Sequence, residues 1–323
     1  MKDLYHVCIT AHNEVLGRNP DDMRAFTNLM ALSSYHSDTQ IVADSLMSNH
    51  AHFVVMSDKP EYFALLLRLS LTKHFNHAHS RTGRLLDKKV FVSKLEGTKH
   101  TQMAINYVLR NGLHHGQSET AFAYPYSSCN SLFMTARGLE LPKLISDRAE
   151  IRTYFPKNAV IPDSLAVDSQ GFAARGTFEE LRMAESWYGT PNSYIYNMNR
   201  RTTEEWINEQ KSDEVQTDPV TLTVIENGVN ADSEADMLKN EGGGRTSVYN
   251  KTDMAVCMLV DNEMLCRYHT DSIYRLSAEI RREIAVELIE DCRVGAVQAA
   301  RCATVPVQCL PPVYLQKVRK KRQ

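Results

Sequence analysis

Apolar and polar positions in the first third of the chain switch between a two-residue and a helical rhythm, and the switches mark out the elements. Leu4, Val7 and Ile9 predict a strand over 4–10. Asn19-Pro20-Asp21-Asp22 is a helix start, and Met23, Phe26, Leu29, Met30 and Leu32 carry helical spacing after it. Ile41 to Met47 and Ala51 to Met56 read as two strands joined by a tight Ser48-Asn49-His50 turn. Pro60 opens a second helix with Phe63, Leu66, Leu67, Leu69 and Leu71 on or near one face. A loop containing Gly83 leads to a basic strand around Lys89 to Leu95, then to a helix from Lys99 to Leu113. The order β-α-β-β-α-β-α predicts an α+β fold: a ferredoxin-like, split βαβ antiparallel sheet with helices on one face.

Past Tyr124-Pro125-Tyr126-Ser127-Ser128 the rhythm weakens. Residues 1–133 form the first domain in this reading. Residues 134–210 mix short apolar runs with Pro156, Pro162 and Pro191, and read as an accessory segment packed on it. Residues 211–250 are polar and acidic and contain Gly242-Gly243-Gly244, the composition of a flexible linker. Residues 251–323 return to helix, with Ile280, Ile284, Leu288 and Ile289 on one face. Arg293 to Ala303 resembles the short helix of a helix-turn-helix, and Lys317-Val318-Arg319-Lys320-Lys321-Arg322 makes a basic tail.

Composition narrows the classes. With 323 residues, 43% hydrophobic and 24% charged, the chain has ample core for an ordinary soluble protein. No stretch approaches the roughly 18 apolar residues of a membrane span. The N-terminus lacks a charged-then-apolar leader, so no membrane partner is expected. The seven cysteines are scattered without a CxxC pair, which argues against a zinc knuckle or disulfide framework and fits a cytoplasmic location. The net charge of −2 conceals a local excess: Arg68, Lys73, Arg81, Arg84, Lys88, Lys89, Lys94 and Lys99 stand against only Asp87 and Glu96. All twelve histidines but His269 lie between His6 and His115, so any chemistry belongs to the N-terminal part.

Within Met47-Ser48-Asn49-His50-Ala51-His52-Phe53-Val54-Val55, strand alternation projects His50 and His52 to one side while Ala51 faces the core. Two imidazoles side by side make half of a divalent-metal site; the plain alternative is a pair of hydrogen-bonded surface histidines. Tyr107 and Asn111 are four apart on the next helix and share a face, as a nucleophile and a third ligand would. Taken alone, Tyr107 also reads as a helix-core tyrosine. His74, His77 and His79, and the adjacent His114 and His115, are expected to lie outside the site, because their spacings do not bring them together on a helix.

Those segments resemble the HUH single-tyrosine transposases, in particular the REP-associated tyrosine transposases. The resemblance rests on the strand holding His50 and His52, on Tyr107-Val108-Leu109-Arg110-Asn111, and on Tyr124-Pro125-Tyr126-Ser127-Ser128. Tyr5-His6-Val7 and Gly83-Arg84-Leu85-Leu86 fall in the expected order between and before them. It covers residues 4–133. It implies a metal-dependent single-stranded DNA endonuclease and strand transferase acting through a 5′-phosphotyrosine. Tyr107 would be the nucleophile, and His50, His52 and Asn111 the ligands of Mg²⁺ or Mn²⁺. The implied partner is a hairpin formed by palindromic repeat DNA, bound through Lys73, Arg81, Arg84, Lys88, Lys89 and Lys94, with Phe75, Phe91 and Tyr107 available to stack bases. The protein would act as a monomer or homodimer. Three departures stand out: Ser48 replaces a proline, Ala51 replaces a bulkier residue, and Gly112-Leu113-His114-His115 replaces Pro-Val-Arg/Lys-Ala. They open a second expectation, a degenerate or domesticated protein that binds hairpins without cutting them. A rolling-circle initiator or relaxase, which shares the histidine pair, is the third.

Overall fold

The computed structural model describes residues 2–11, 14–199 and 251–319; the expected 211–250 linker lies outside the described residues. The first domain opens with strand β1 (Asp3–Thr10), helix α1 (Pro20–His36), and strands β2 (Gln40–Leu46) and β3 (His50–Ser57). Helix α2 (Pro60–Ala78), strand β4 (Phe91–Lys94), helix α3 (Thr98–Leu109) and the short α4 (Asn111–His114) follow. Asn19 caps α1 as its sequence foretells: the side-chain oxygen accepts from the Asp22 amide at 2.9 Å. Pro20 sits at the first helical position, where it removes no bond, and Asp21 and Asp22 face the positive end of the helix dipole.

The sheet runs in the order β2-β3-β1-β4, and each neighbouring pair is antiparallel. Two β-α-β units are therefore interleaved, β1-α1-β2 and β3-α2-β4, each with one strand of the other between its own. Val7, Ile9, Ala51, Phe53 and Val55 face α1 and α2, where they pack with Phe26, Met30, Phe63, Leu67 and Leu71. The opposite face is also covered. Val42, Ala43 and Val54 pack there with Ala104, Ile105 and Val108 of α3. Helices thus lie on both faces rather than one, because the apolar stripe of α3 needs a sheet surface of its own.

Tyr124-Pro125-Tyr126-Ser127-Ser128 closes the free edge of β2. The Leu46 amide donates to the Tyr126 carbonyl at 2.8 Å, and the Asp44 amide donates to Ser128 Oγ at 2.9 Å. The Ser127 hydroxyl donates to the Asp44 carbonyl at 3.0 Å. The following segment docks on the same strand: Arg175 grips the buried Asp44 carboxylate through two bonds of 2.8 and 3.0 Å. Ile151, Phe155, Leu165 and Val167 pack under Ala31 and Leu32 of α1.

The C-terminal helices α5 (Asp253–Leu259), α6 (Ala278–Glu290), α7 (Ala296–Cys302) and α8 (Pro312–Arg319) gather a separate core of Val256, Val260, Ile284, Leu288, Ala299 and Cys302. Polar bonds fix this region to the first domain. Arg18 pairs with Asp261 at 2.7 Å, and Tyr274 donates to Glu14 at 2.9 Å. Ser48, in the β2–β3 turn, donates to Asp253 at 2.7 Å, and Arg301 holds the same carboxylate at 2.9 Å. Among the described residues, no helix is long and apolar enough to cross a membrane.

Candidate functional site

His50 and His52 point from β3 toward α3, on the face away from Ala51 and Phe53. Their ring centroids are 5.0 Å apart. Strand pairing sets β1 beside them, with Thr10 opposite His50, Cys8 opposite His52 and His6 opposite Val54. The alternation of β1 that buries Val7 and Ile9 under α1 and α2 turns His6 and Cys8 into this face. His6 Nε2 lies 3.0 Å from His52 Nδ1, and the two rings stack with centroids 5.2 Å apart. His50 Nδ1 donates to Asn49 Oδ1 at 2.8 Å.

Tyr107 closes the face from above, its ring centroid 5.2 Å from that of His52 and 6.1 Å from that of His6. The continuous helix expected over Lys99–Leu113 is broken. It ends at Leu109, and Asn111 opens α4 after Arg110. The break lets Gly112 press against Tyr124, so closely that a Cβ there would fall 2.3 Å from the Tyr124 ring. The next residues keep to the face of Tyr107 and Asn111. His115 packs on His50 with centroids 4.8 Å apart, and His114 stacks on Tyr107 at 5.8 Å. The expectation that both lie outside the site is corrected. They do diverge, but each diverges onto a different site residue.

The site is buried and held neutral. Burial first, then the nearby His115, pushes the His50 imidazole well below the ordinary histidine range, with the Asn111 amide acting the other way. His52 is lowered well below that range by burial and then by its neighbours His50, His6 and His115. His6 is pushed down to about 3 by burial and the more distant His100, and His114 to about 3 by burial, Arg110 and His115. Neutral imidazoles keep a lone pair for a ligand. His50 Nε2, His6 Nδ1 and both amide atoms of Asn111 are buried and complete no well-formed hydrogen bond among the described residues.

Buried polar atoms normally find partners, so this concentration calls for an occupant. Among the described residues, no three His, Cys, Asp or Glu side chains are grouped to hold a metal. A metal here therefore depends on the Asn111 oxygen joining His50 and His52. Two imidazoles and an amide oxygen, two of the three carrying unsatisfied atoms, fit a divalent ion of intermediate hardness.

The basic residues divide. Lys73, Arg84, Lys88 and Lys89 are exposed. The loop that carries the last two is tied to the site end of β1, where the Asp87 amide donates to the Thr10 carbonyl at 2.8 Å. Lys94 pairs with Asp3 at 2.7 Å. Arg81 is committed inside the fold, where it bonds Glu14 at 2.9 Å, Asn76 at 2.8 Å and the Arg84 carbonyl at 2.8 Å. Phe75 is fully buried in the α1–α2 core and packs on His79, so it has no face to offer a base. Phe91 is half-buried, its ring centroid 5.4 Å from that of His6.

No family model matches the chain, and no curated protein matches it in sequence. Among solved structures, one described as "Structure of the REP associates tyrosine transposase bound to a REP hairpin" is similar to it. That likeness spans 43% of this chain and 84% of that one, at 16% identity and a TM-score of 0.36. A likeness of that size establishes neither family nor activity.

Proposed function

We propose that this chain is a metal-dependent single-stranded DNA endonuclease and strand transferase of the HUH transposase type, acting on hairpin DNA. One observation carries the reading: an imidazole pair on β3, a phenol on α3 and an amide at the start of α4 meet in one buried cluster, where His50 Nε2 and the Asn111 amide complete no well-formed hydrogen bond among the described residues. The strand order and pairing support reading the sheet as ferredoxin-like, with the site on the face away from α1 and α2.

His50, His52 and Asn111 would hold Mg²⁺ or Mn²⁺, which when bound polarises the scissile phosphate. The remaining work belongs to the protein. Asn49 fixes the ring of His50 through Nδ1 and leaves Nε2 toward the pocket. The rings of His52 and His114 hold the Tyr107 ring in place from two sides. The Tyr107 oxygen attacks phosphorus, the P–O3′ bond breaks, and the 3′-oxygen takes up a proton as the phenol gives one up. A 5′-phosphotyrosine and a free 3′-hydroxyl result, and attack by another 3′-hydroxyl reverses the step without ATP. Exposed Arg84, Lys88 and Lys89 supply a salt-sensitive track for the phosphate backbone.

A second reading, hairpin binding without cleavage, is favoured by burial: Tyr107 is 4% exposed and His52 wholly covered. A panel of labelled hairpins with Mn²⁺ separates the two. Cleavage by the wild type that is lost in both His50→Ala and Tyr107→Phe supports the nuclease. Hairpin binding with no cleavage under any divalent ion favours the second reading.

A further inference from the structure

We infer that His6 is a positioning residue: through its hydrogen bond to Nδ1 of His52 it orients that ring so that Nε2 faces the metal pocket. The inference rests on the metal-site reading above and adds a residue to which that reading gives no task. The sheet places His6 there by register. β1 pairs with β3, and on the shared face His6 sits opposite Val54, next along from the Cys8–His52 pair. Its Nε2 comes within 3.0 Å of His52 Nδ1, with both rings fully buried.

The arrangement repeats what Asn49 does for His50. In each case a neighbour occupies Nδ1 and the ring offers Nε2: among the described residues, His50 Nε2 has no well-formed bond, and His52 Nε2 has only the Cys8 sulfur at 4.0 Å. Metal-bound histidines characteristically have their second nitrogen held in this way, which fixes the tautomer and the ring plane.

Proton placement follows from the geometry. For His52 to present a lone pair at Nε2, its proton must sit on Nδ1 and His6 must accept it at Nε2. The proton of His6 then lies on Nδ1, an atom that is buried and completes no well-formed hydrogen bond among the described residues. In the opposite arrangement His6 donates, His52 carries its proton on Nε2, and that proton faces only a thiol. The fold thus tolerates an unsatisfied group on His6, which is understandable if the return is a correctly aimed His52.

The test uses the full-length protein with Mn²⁺ as the probe. His6→Phe keeps ring size and burial but removes the acceptor, whereas His6→Gln keeps an acceptor at a similar reach. Mn²⁺ affinity, measured by the paramagnetic signal of free Mn²⁺, should fall about 10- to 100-fold in His6→Phe. It should recover most of that loss in His6→Gln. In metal-free protein, ring-nitrogen NMR shifts of His52 should show the proton on Nδ1 in the wild type and in His6→Gln, and a mixture of tautomers in His6→Phe.

Wild-type Mn²⁺ affinity in a folded His6→Phe, or no recovery in His6→Gln, overturns the role of His6 and leaves the metal site standing. A wild type that takes up no Mn²⁺ overturns both. The NMR comparison judges the hydrogen bond itself: an unchanged His52 tautomer in His6→Phe refutes it.

Discussion

On one side of β3, Ala51, Phe53 and Val55 are closed in by the aliphatic and aromatic side chains of α1 and α2. On the other, His50 and His52 lie among His6, Tyr107, Asn111 and His115, and His6 Nδ1, His50 Nε2 and the Asn111 amide complete no well-formed hydrogen bond among the described residues. The backbone and the degree of burial are the same on both sides. The first face stabilises the fold in proportion to the apolar area it hides. The second works against it, since a buried polar group left unsatisfied costs about 1–3 kcal/mol. A strand that gives half of one face to polar side chains, with Val54 beside them packed on α3, is organised for binding or chemistry as well as for packing.

Substitutions on the two faces should therefore behave oppositely. The largest expected effect is at Phe53, whose truncation to alanine leaves a cavity against Phe63 and should destabilise by about 3–5 kcal/mol in urea denaturation. Gly112→Ala should come next. Its methyl group would collide with the Tyr124 ring, at a loss of about 1–3 kcal/mol, and Mn²⁺ affinity should fall as the turn bearing Asn111 is displaced.

Acid should reveal the histidine face. His114 resists protonation down to about 3 in the fold, whereas an unfolded histidine takes a proton near 6.5. Between those values the unfolded chain binds the extra proton, so stability is lost as pH falls through that window. His114→Phe should remove up to about 1.4 kcal/mol per pH unit of that loss, read from denaturation midpoints between pH 6.5 and 4. The smallest effect is expected at Asn111→Leu, which exchanges a buried amide whose one contact of note is a poorly formed bond to His50 for an apolar side chain of similar size. Stability should change by less than about 1 kcal/mol while Mn²⁺ binding is lost.

Much of the apolar face was legible from the sequence, because its signals are local. Alternation around Ala51, the Asn19-Pro20 helix start and the spacing of Phe63, Leu67 and Leu71 each act within a few residues. The same alternation in β1 turns His6 and Cys8 away from Val7 and Ile9. What it does not contain is the neighbour. The ferredoxin-like order sets β1 beside β3, but local alternation carries no register, and it is the register that brings His6 next to His52. Nor does Arg110 carry a helix-breaking side chain. The interruption lies just before Gly112, which meets Tyr124, while His114 and His115 share the face of Asn111 by their three- and four-residue spacing from it, a signal that was open to a reading of the sequence. Arg81, expected among the DNA contacts, is turned inward by Glu14 and Tyr274, both far from it in sequence. The bond from Ser48 to Asp253 joins residues 205 positions apart, beyond the reach of any local pattern.

The central claim is that Tyr107 is the nucleophile of a site assembled on the histidine face. Its most direct test is mass spectrometry of the full-length protein after incubation with hairpin DNA and Mn²⁺, followed by peptide mapping. The expected result is a mass increase equal to the DNA fragment on the 3′ side of the cut, carried by the peptide containing Tyr107 and absent from Tyr107→Phe, which should still bind the hairpin. Cleaved DNA without a protein adduct, or an adduct on another residue, would contradict it.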